Sequence, residues 1–197
     1  MDYAILRWIT QTFGETKFLA VLAKIVSFLG SKWVILAGVA LLLCFKKTRR
    51  VGFYVMIAAG ATWVFNDLIL KNIVKRARPF DEHYGLRRMC ELAGAKLPDG
   101  YSFASGHSAV TMAFAVAVMF FSRKFGIALI GWSGLVGLSR IGLCVHYPTD
   151  VFAGWIIGVI LAVGLHFATN FALKIINSKW GKKDEKVGNS NEERTQN

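Results

Sequence analysis

The sequence predicts an all-α fold, namely a polytopic bundle of transmembrane helices with five clear spans. Of the 197 residues, 54% are hydrophobic and 13% are aromatic, which is typical of integral membrane proteins rather than of soluble domains. The apolar residues also fall in long runs, most of which end at lysines and arginines. We expect three regions: N-terminal interfacial or re-entrant helices over 1–30, a transmembrane domain over 31–176, and a disordered cytoplasmic tail over 177–197.

The N-terminal region contains two segments of different character. Residues 2–13 combine apolar side chains such as Trp8 with polar ones such as Arg7, a pattern that indicates an amphipathic helix at the membrane interface. Residues 17–29 are apolar but contain two lysines, and they are shorter than the roughly 20 residues that a span needs. The second segment is therefore a tilted span, a re-entrant helix or a helix packed under the functional site, which gives the chain five or six spans.

Five further apolar runs predict the clear spans, which cross the membrane in alternating directions. Compact basic clusters follow the first, third and fifth of these runs. Because cytoplasmic segments are enriched in Lys and Arg, these ends are predicted to face the cytoplasm of a cell, and the loops over 71–104 and 139–150 to face the outside. The predicted spans are 33–45, 51–70, 105–121, 125–138 and 151–173.

The net charge of +12 would suggest nucleic acid as the partner of a soluble protein. Here the cations lie mostly at the ends of spans, where they orient the protein and attract anionic lipid. We therefore predict membrane lipids and no nucleic acid as partners. The three cysteines are too few and too scattered for a disulfide framework or a zinc site. The spacing leaves open whether Cys90 pairs with Cys144, and the oligomeric state is open too.

Three polar segments stand at the ends of predicted spans, and each suits a phosphate group. Guanidinium groups bind phosphate through a planar fork of donors, and a helix that begins at a Ser-Gly pair offers N–H groups and a partial positive charge to an anion. A histidine followed four residues later by an aspartate can be a nucleophile or a proton carrier whose tautomer the carboxylate fixes. The segments contain Lys71 with Arg78-Pro79, Ser105-Gly106-His107, and Arg140 with His146 and Asp150.

The spacing within the first segment predicts that its two cations lie near each other. Lys71 and Arg78 are seven residues apart, which on a helix is nearly two turns and so nearly one face, roughly 10 Å along the axis. Pro79 disfavours helical geometry at the residue before it, so we expect the helix to end at Arg78 and its guanidinium to bend into the pocket. Asp67 lies one helical turn before Lys71 and could pair with it. The neighbouring Arg76 is interpreted as a cation that reaches lipid head groups.

In this order, the three segments resemble the three-part signature of the type 2 phosphatidic acid phosphatase superfamily, PAP2, over roughly residues 60 to 160. The pattern of that family is a Lys with Arg-Pro seven residues later, then Pro-Ser-Gly-His, then Ser-Arg with a His six and an Asp ten residues after the Arg. Ala104 stands where the family usually has Pro, which puts the rigidity of that turn in question more than the chemistry. The region 31–176 would then be a PAP2-like catalytic domain.

The resemblance implies a role for residues of all three segments. His146 is expected to attack phosphorus, Asp150 to orient it, and His107 to protonate the leaving oxygen. No metal and no cofactor are expected, because protein cations compensate the charge of the phosphate. The residues expected to bind the phosphate are Lys71, Arg78, Ser105, Gly106 and Arg140.

The function that the resemblance implies is hydrolysis of a lipid phosphate or diphosphate through a phosphohistidine, by a multi-pass cell-membrane protein whose site faces away from the cytoplasm. Polyprenyl diphosphate, phosphatidylglycerophosphate and phosphatidic acid are the expected substrates, and the motif does not choose among them. Two alternatives belong to other classes. One is a catalytically silent protein that binds or translocates lipid phosphates. The other is a vanadate-dependent haloperoxidase, which shares the motif but is soluble.

Overall fold

The computed structural model describes residues 2–92 and 97–195, and within these ranges the regular secondary structure is entirely helical. The fold is therefore all-α, as predicted. The elements in chain order are α1 (Asp2–Glu15), α2 (Lys17–Leu29), α3 (Lys32–Cys44), α4 (Arg49–Trp63), a π-helical segment (Val64–Leu70), α5 (Lys71–Val74), α6 (Pro79–Glu82), α7 (Tyr84–Leu92), α8 (Gly106–Met119), α9 (Arg123–Gly142) and α10 (Pro148–Thr195).

Three stretches of the described chain are long and apolar enough to cross a membrane: Arg49–Glu82, Arg123–Gly142 and Pro148–Ala172. The helices α2 and α3 meet the same criteria only as a pair, which is bent by 47°. The helix α8 is apolar but has 14 residues, fewer than the roughly 20 of an upright span. These stretches are those of a helical membrane protein. The run predicted as a span over 33–45 forms α3, which at 13 residues is too short to cross without α2.

The bend between α2 and α3 lies against α9. A Cβ atom on Gly30 would stand 2.5 Å from a Cγ atom of Val136 in α9, so any larger residue would push the two helices apart. The next residue, Ser31, has extended backbone geometry (φ −71°, ψ 156°) and precedes α3. The chain therefore changes direction at a Gly-Ser pair, a common place for helices to bend.

The stretch Arg49–Glu82 departs from the sequence prediction at its end. The helix ends at Val74, because Lys75 adopts left-handed geometry (φ 50°) and its N–H closes the last turn. Arg78 is extended (φ −83°, ψ 156°) and precedes Pro79, as expected of a residue before proline. The prediction that the helix would continue to Arg78 is therefore wrong by one turn, because no sequence pattern indicates left-handed geometry at Lys75.

The segment over 71–104, predicted as one long loop, contains three short helices, α5, α6 and α7. The helix α7 is amphipathic: Leu86 and Cys90 are buried on one face and Arg87 is exposed on the other. This pattern extends over nine residues, too few to stand out among neighbouring glycines and prolines. Cys90 and Cys144 are both buried and both free thiols. The core cluster that α7 joins includes Leu6, Phe80, Leu143, Val145, Tyr147 and Val151.

The helix α8 packs closely with its neighbours because most of its side chains are small and buried. Both α4 and α9 pack against it, and α10 approaches it at two glycines. A Cβ atom on Gly158 would stand 2.4 Å from the carbonyl oxygen of Ala109, and one on Gly154 would stand 2.7 Å from that of Ser105. Small residues of this kind allow helix backbones to approach each other in membranes. The start of α8 consequently lies beside the start of α10.

From residue 163 onward the structure describes the rest of α10, which continues to Thr195. Residues 177–195 are therefore helical where the sequence predicted a disordered tail. A helix that has already formed extends at little cost per residue. Lysine and glutamate, which are frequent in this segment, also favour the helical state.

Candidate active site

Backbone hydrogen bonds join the polar segments at one end of the bundle. The amide of Ser105, just before α8, donates to the carbonyl of Asp150 in the first turn of α10 at 2.9 Å. The amide of Ser102 donates to the carbonyl of Arg76, after α5, at 2.8 Å. Three segments that are distant in sequence therefore form one site.

His146 and Asp150 form a buried pair at this site. Their exposed fractions are 2% and 0%, and Nδ1 of His146 lies 3.7 Å from Oδ2 of Asp150. The same Oδ2 accepts the amide of Tyr147 at 2.9 Å, so Asp150, three residues later, caps the start of α10 as the acid of a capping box does. Because Asp150 caps α10, its carboxylate is held in the position where it faces His146.

The imidazole of His146 is neutral near neutral pH. Burial lowers its pKa to about 3, and the positive charges of Arg140 and Arg78 act in the same direction, against the opposing effect of Asp150. A neutral ring whose Nδ1 faces a carboxylate keeps its Nε2 lone pair available for bond formation. This is the state that a nucleophilic histidine needs.

Ser102 contacts both residues of this pair, and the sequence patterns assigned it no role. Its hydroxyl donates to Oδ2 of Asp150, and its oxygen lies 3.4 Å from Nδ1 of His146. Ser102 stands three residues before the second segment, Ser105-Gly106-His107, and no spacing rule connects it to an aspartate 48 residues later. The structure brings it there through the backbone bond to Arg76.

Arg78 is buried, with 3% of its surface exposed, and is held by carbonyl groups. It donates to Gly100 at 2.8 Å, to Val145 at 2.9 Å and to Asp99 at 3.4 Å. These bonds use three of the five donors of its guanidinium. The bond to Val145 holds the residue next to His146, so Arg78 fixes the loop that carries the histidine.

Lys71 and Gly106 meet at the carboxylate of Asp67. Nζ of Lys71 lies 2.5 Å from Oδ1 of Asp67, which confirms the predicted pair. A Cβ atom on Gly106 would stand 2.8 Å from Oδ2 of the same carboxylate. Asn66, which is fully buried, donates to the carbonyl of Ala104 at 3.1 Å. A negative group therefore already lies at the N-terminus of α8, where an anion was expected.

The other predicted site residues lie around the same end of the bundle. Ser105 is buried and accepts the hydroxyl of Ser108 at 3.0 Å. Arg140 donates from Nη1 to the hydroxyl of Ser27 in α2 at 2.6 Å, and its Nε is buried with no hydrogen-bond partner among the described residues. The half-buried His107 lies in electrostatic range of the other titratable residues of the site, which are Arg140, His146, Lys71 and Arg78.

The comparisons with known proteins agree with this arrangement. The profile described as the PAP2 superfamily matches residues 50–173, which include every predicted site residue. Because this match covers more than half of the chain, the protein belongs to the PAP2 superfamily.

Two curated relatives and one solved structure are among the similar proteins. An undecaprenyl-diphosphatase of Sulfolobus acidocaldarius is 34% identical over 66% of this chain and 60% of its own length. A lipid A 1-phosphatase of Rhizobium etli is 30% identical over 74% of this chain and 62% of its own. The chain thus spans less than two thirds of either relative. The crystal structure of Aquifex aeolicus LpxE shares the fold with a TM-score of 0.68, at 23% identity, over 83% of this chain and 93% of that one.

Ser102→Ala removes a hydrogen bond to the carboxylate of Asp150 and adds no bulk. A hydrogen bond to a charged group contributes about 1.5–3 kcal/mol, so we expect kcat for phosphate release from a lipid phosphate to fall about tenfold to a hundredfold. The KM should change little, because Ser102 contacts Asp150 rather than the phosphate-binding residues. The matched control is Ser133→Ala, which removes a buried hydroxyl bonded to Thr111. An equal loss in both variants would show that Ser102 has no special part in catalysis.

Proposed function

We propose that this protein is a membrane phosphatase that hydrolyses a lipid phosphate or diphosphate through a phosphohistidine on His146. The observation that carries the proposal is the buried pair of His146 and Asp150, 3.7 Å apart, at the point where the three segments of the family signature meet. A protein that only bound lipid phosphates would need the cations of the site. It would have no use for a neutral, oriented imidazole.

The first step is the transfer of the phosphoryl group to the enzyme. Nε2 of His146 attacks phosphorus, so that a P–N bond forms and the P–O bond to the lipid breaks. His107 gives a proton to the leaving oxygen, which departs as a lipid alcohol or a lower phosphate. The positive charge that develops on His146 is stabilised by Asp150 through Nδ1.

The second step regenerates the enzyme with water. His107, which is neutral after the first step, accepts a proton as water attacks the phosphohistidine. The P–N bond then breaks, inorganic phosphate leaves, and His146 returns to its neutral form. In both steps His107 is the single proton carrier, and the negative charge of a bound phosphate favours its protonated form against the surrounding cations.

The equatorial oxygens of the phosphate would be bound by five residues of the site. The unpartnered Nε of Arg140 supports this part of the proposal, since a buried donor without an acceptor is costly. Lys71 is paired with Asp67 here, and the substrate would take its place as the anion that Lys71 contacts. The five residues are Lys71, Arg78, Ser105, Gly106 and Arg140, and neither a metal nor a cofactor has a role in this scheme.

The proposed substrates share a phosphate monoester or diphosphate on an apolar anchor. They include polyprenyl diphosphate, phosphatidylglycerophosphate and phosphatidic acid. The two relatives are named for their action on undecaprenyl diphosphate and lipid A, which supports this class without selecting one member.

Purified protein in detergent should release inorganic phosphate from one or more lipids of a panel: farnesyl diphosphate, phosphatidylglycerophosphate and phosphatidic acid. Release should persist in excess EDTA, because protein cations hold the phosphate, and vanadate should inhibit it as a mimic of pentacoordinate phosphorus. His146→Ala should lower release to background, whereas the control His83→Ala, outside the site, should not. Lipid binding without release by the wild-type protein would contradict the proposal and favour the binding or translocating alternative.

We further propose a cell-membrane protein with five crossing segments and the site on the extracytoplasmic face. The crossing segments would be the bent pair α2–α3, then α4 with the π-helical segment, α8, α9 and α10. Two contacts support five rather than six: Asp2 of α1 bonds Arg76, and Ser27 of α2 bonds Arg140. Asp2 and Ser27, near the two ends of the N-terminal region, thus both meet the end of the bundle that carries His146. The residues before α3 would therefore add no sixth crossing of their own. The basic clusters over 46–50 and 123–124 lie at the opposite ends of α3, α4, α8 and α9, and such clusters are typical of cytoplasmic segments.

Single cysteines in a variant without the three native ones should report this topology. With an impermeant thiol reagent added to intact cells, Asp99→Cys and Gln11→Cys should be labelled and Lys47→Cys should not. All three positions are exposed, so differences in labelling report sidedness. Labelling of Lys47→Cys with protection of Asp99→Cys would reverse the topology. Labelling of Asp99→Cys without Gln11→Cys would instead indicate six crossing segments.

A further inference from the structure

Arg76 lies outside the expected phosphate-binding residues, yet it contacts the carboxylate that faces the nucleophile. Its Nη1 donates to Oδ1 of Asp150 and to Oγ1 of Thr149, each at 2.8 Å. Its guanidinium also stands 4.0 Å from the ring centroid of Tyr147, which is a cation–π geometry. Three residues at the start of α10 are therefore in contact with one arginine.

The other side of this guanidinium is held by the N-terminal helix. Nη2 of Arg76 donates to Oδ2 of Asp2 at 2.9 Å. Asp2 in turn accepts both the hydroxyl and the amide of Thr149. The guanidinium thus lies between two carboxylates, of which Asp150 is fully buried and Asp2 partly exposed.

We propose that Arg76 is a positioning residue for the nucleophile, which holds Oδ1 of Asp150 so that Oδ2 faces His146, while Asp2 of the N-terminal helix holds Arg76. The inference rests on the proposed function, since it concerns the same histidine. It makes α1 a part of the site as well as an interfacial helix.

The partners of the two carboxylate oxygens support this role. Oδ1 of Asp150 is bound by Arg76, whereas Oδ2 receives Ser102 and the amide of Tyr147 and faces His146. Rotation of the carboxylate would break all of these contacts together. The guanidinium resists that rotation because its donors are rigidly coplanar and its second nitrogen is anchored elsewhere. A cation that only reached lipid head groups would point away from the bundle.

Arg76 also acts on His146 through Asp150, because it partly compensates the negative charge that would otherwise stabilise the imidazolium. Without it, the imidazolium of His146 is less opposed and its pKa rises. Because the nucleophile must be neutral, the acidic limb of the pH profile of kcat/KM then moves to higher pH. The other charged or titratable groups around this pair from neighbouring elements are Asp2, Arg78, His107 and Arg140, and Glu82 accepts the hydroxyl of the adjacent Tyr147.

The test uses the full-length protein in detergent with dioctanoyl phosphatidic acid and farnesyl diphosphate as probes, and measures kcat and KM from about pH 3 to pH 8. Arg76→Gln should lower kcat about tenfold to a hundredfold and move the acidic limb of the kcat/KM profile to higher pH. Arg76→Lys keeps the charge but not the fork, so it should lower kcat and leave the limb in place. Lys75→Gln removes a neighbouring exposed cation and should change neither quantity.

Asp2→Asn provides a second variant that leaves Arg76 intact. The ion pair that it weakens is partly exposed, so we expect kcat to fall about two- to fivefold. The acidic limb of the kcat/KM profile should not move to higher pH. A wild-type kcat in Asp2→Asn, or a reduced kcat in Arg76→Gln without movement of the limb, would overturn the inference while the wild-type protein stays active. A wild-type protein that releases no phosphate from either probe would overturn the proposed function and the inference together.

Discussion

The buried carboxylate of Asp150 is the group on which the rest of the site depends. A negative charge in an apolar interior costs several kcal/mol unless donors and opposite charges surround it. Here the donors come from distant parts of the chain: Arg76 after α5, Ser102 before α8, and the amide of Tyr147 before α10. A fold that left one of them out would leave this buried charge short of a donor. The need to surround the Asp150 carboxylate therefore draws these segments together and also places the carboxylate against His146.

Apolar packing restricts the nucleophile in a complementary way. Val145 and Tyr147, on either side of His146, both belong to the core cluster that reaches from α1 to α10. A side chain whose two neighbours are fixed in a core has little freedom of backbone movement, which is the support that a catalytic group requires. The glycines of α10 bring its backbone against α8, so the carboxylate and the N-terminus of α8 share one small space.

The sequence predicted the helical class and the residues that gather at the site, because both depend on local patterns. Apolar runs indicate helices, and the residues of a short motif are recognised by their fixed spacing in the sequence. The contacts of Arg76 and Ser102 with Asp150 were not predictable, since they join residues 74 and 48 positions apart. Arg76 resembles any cation at the end of a span until α10 is placed beside it. Likewise, neither the composition nor the hydrophobic periodicity indicates the left-handed geometry of Lys75, which turns the chain before Arg78.

The most direct test of the account is to identify the residue that becomes phosphorylated. Protein mixed with lipid substrate carrying labelled phosphate, and quenched rapidly at alkaline pH where phosphohistidine persists, should carry the label on the peptide that contains His146. His107→Ala should still acquire label from a substrate with a good leaving group such as p-nitrophenol, because departure then needs no acid, whereas His146→Ala should acquire none. Label on His107 in the wild-type protein would contradict the account and exchange the roles of the two histidines.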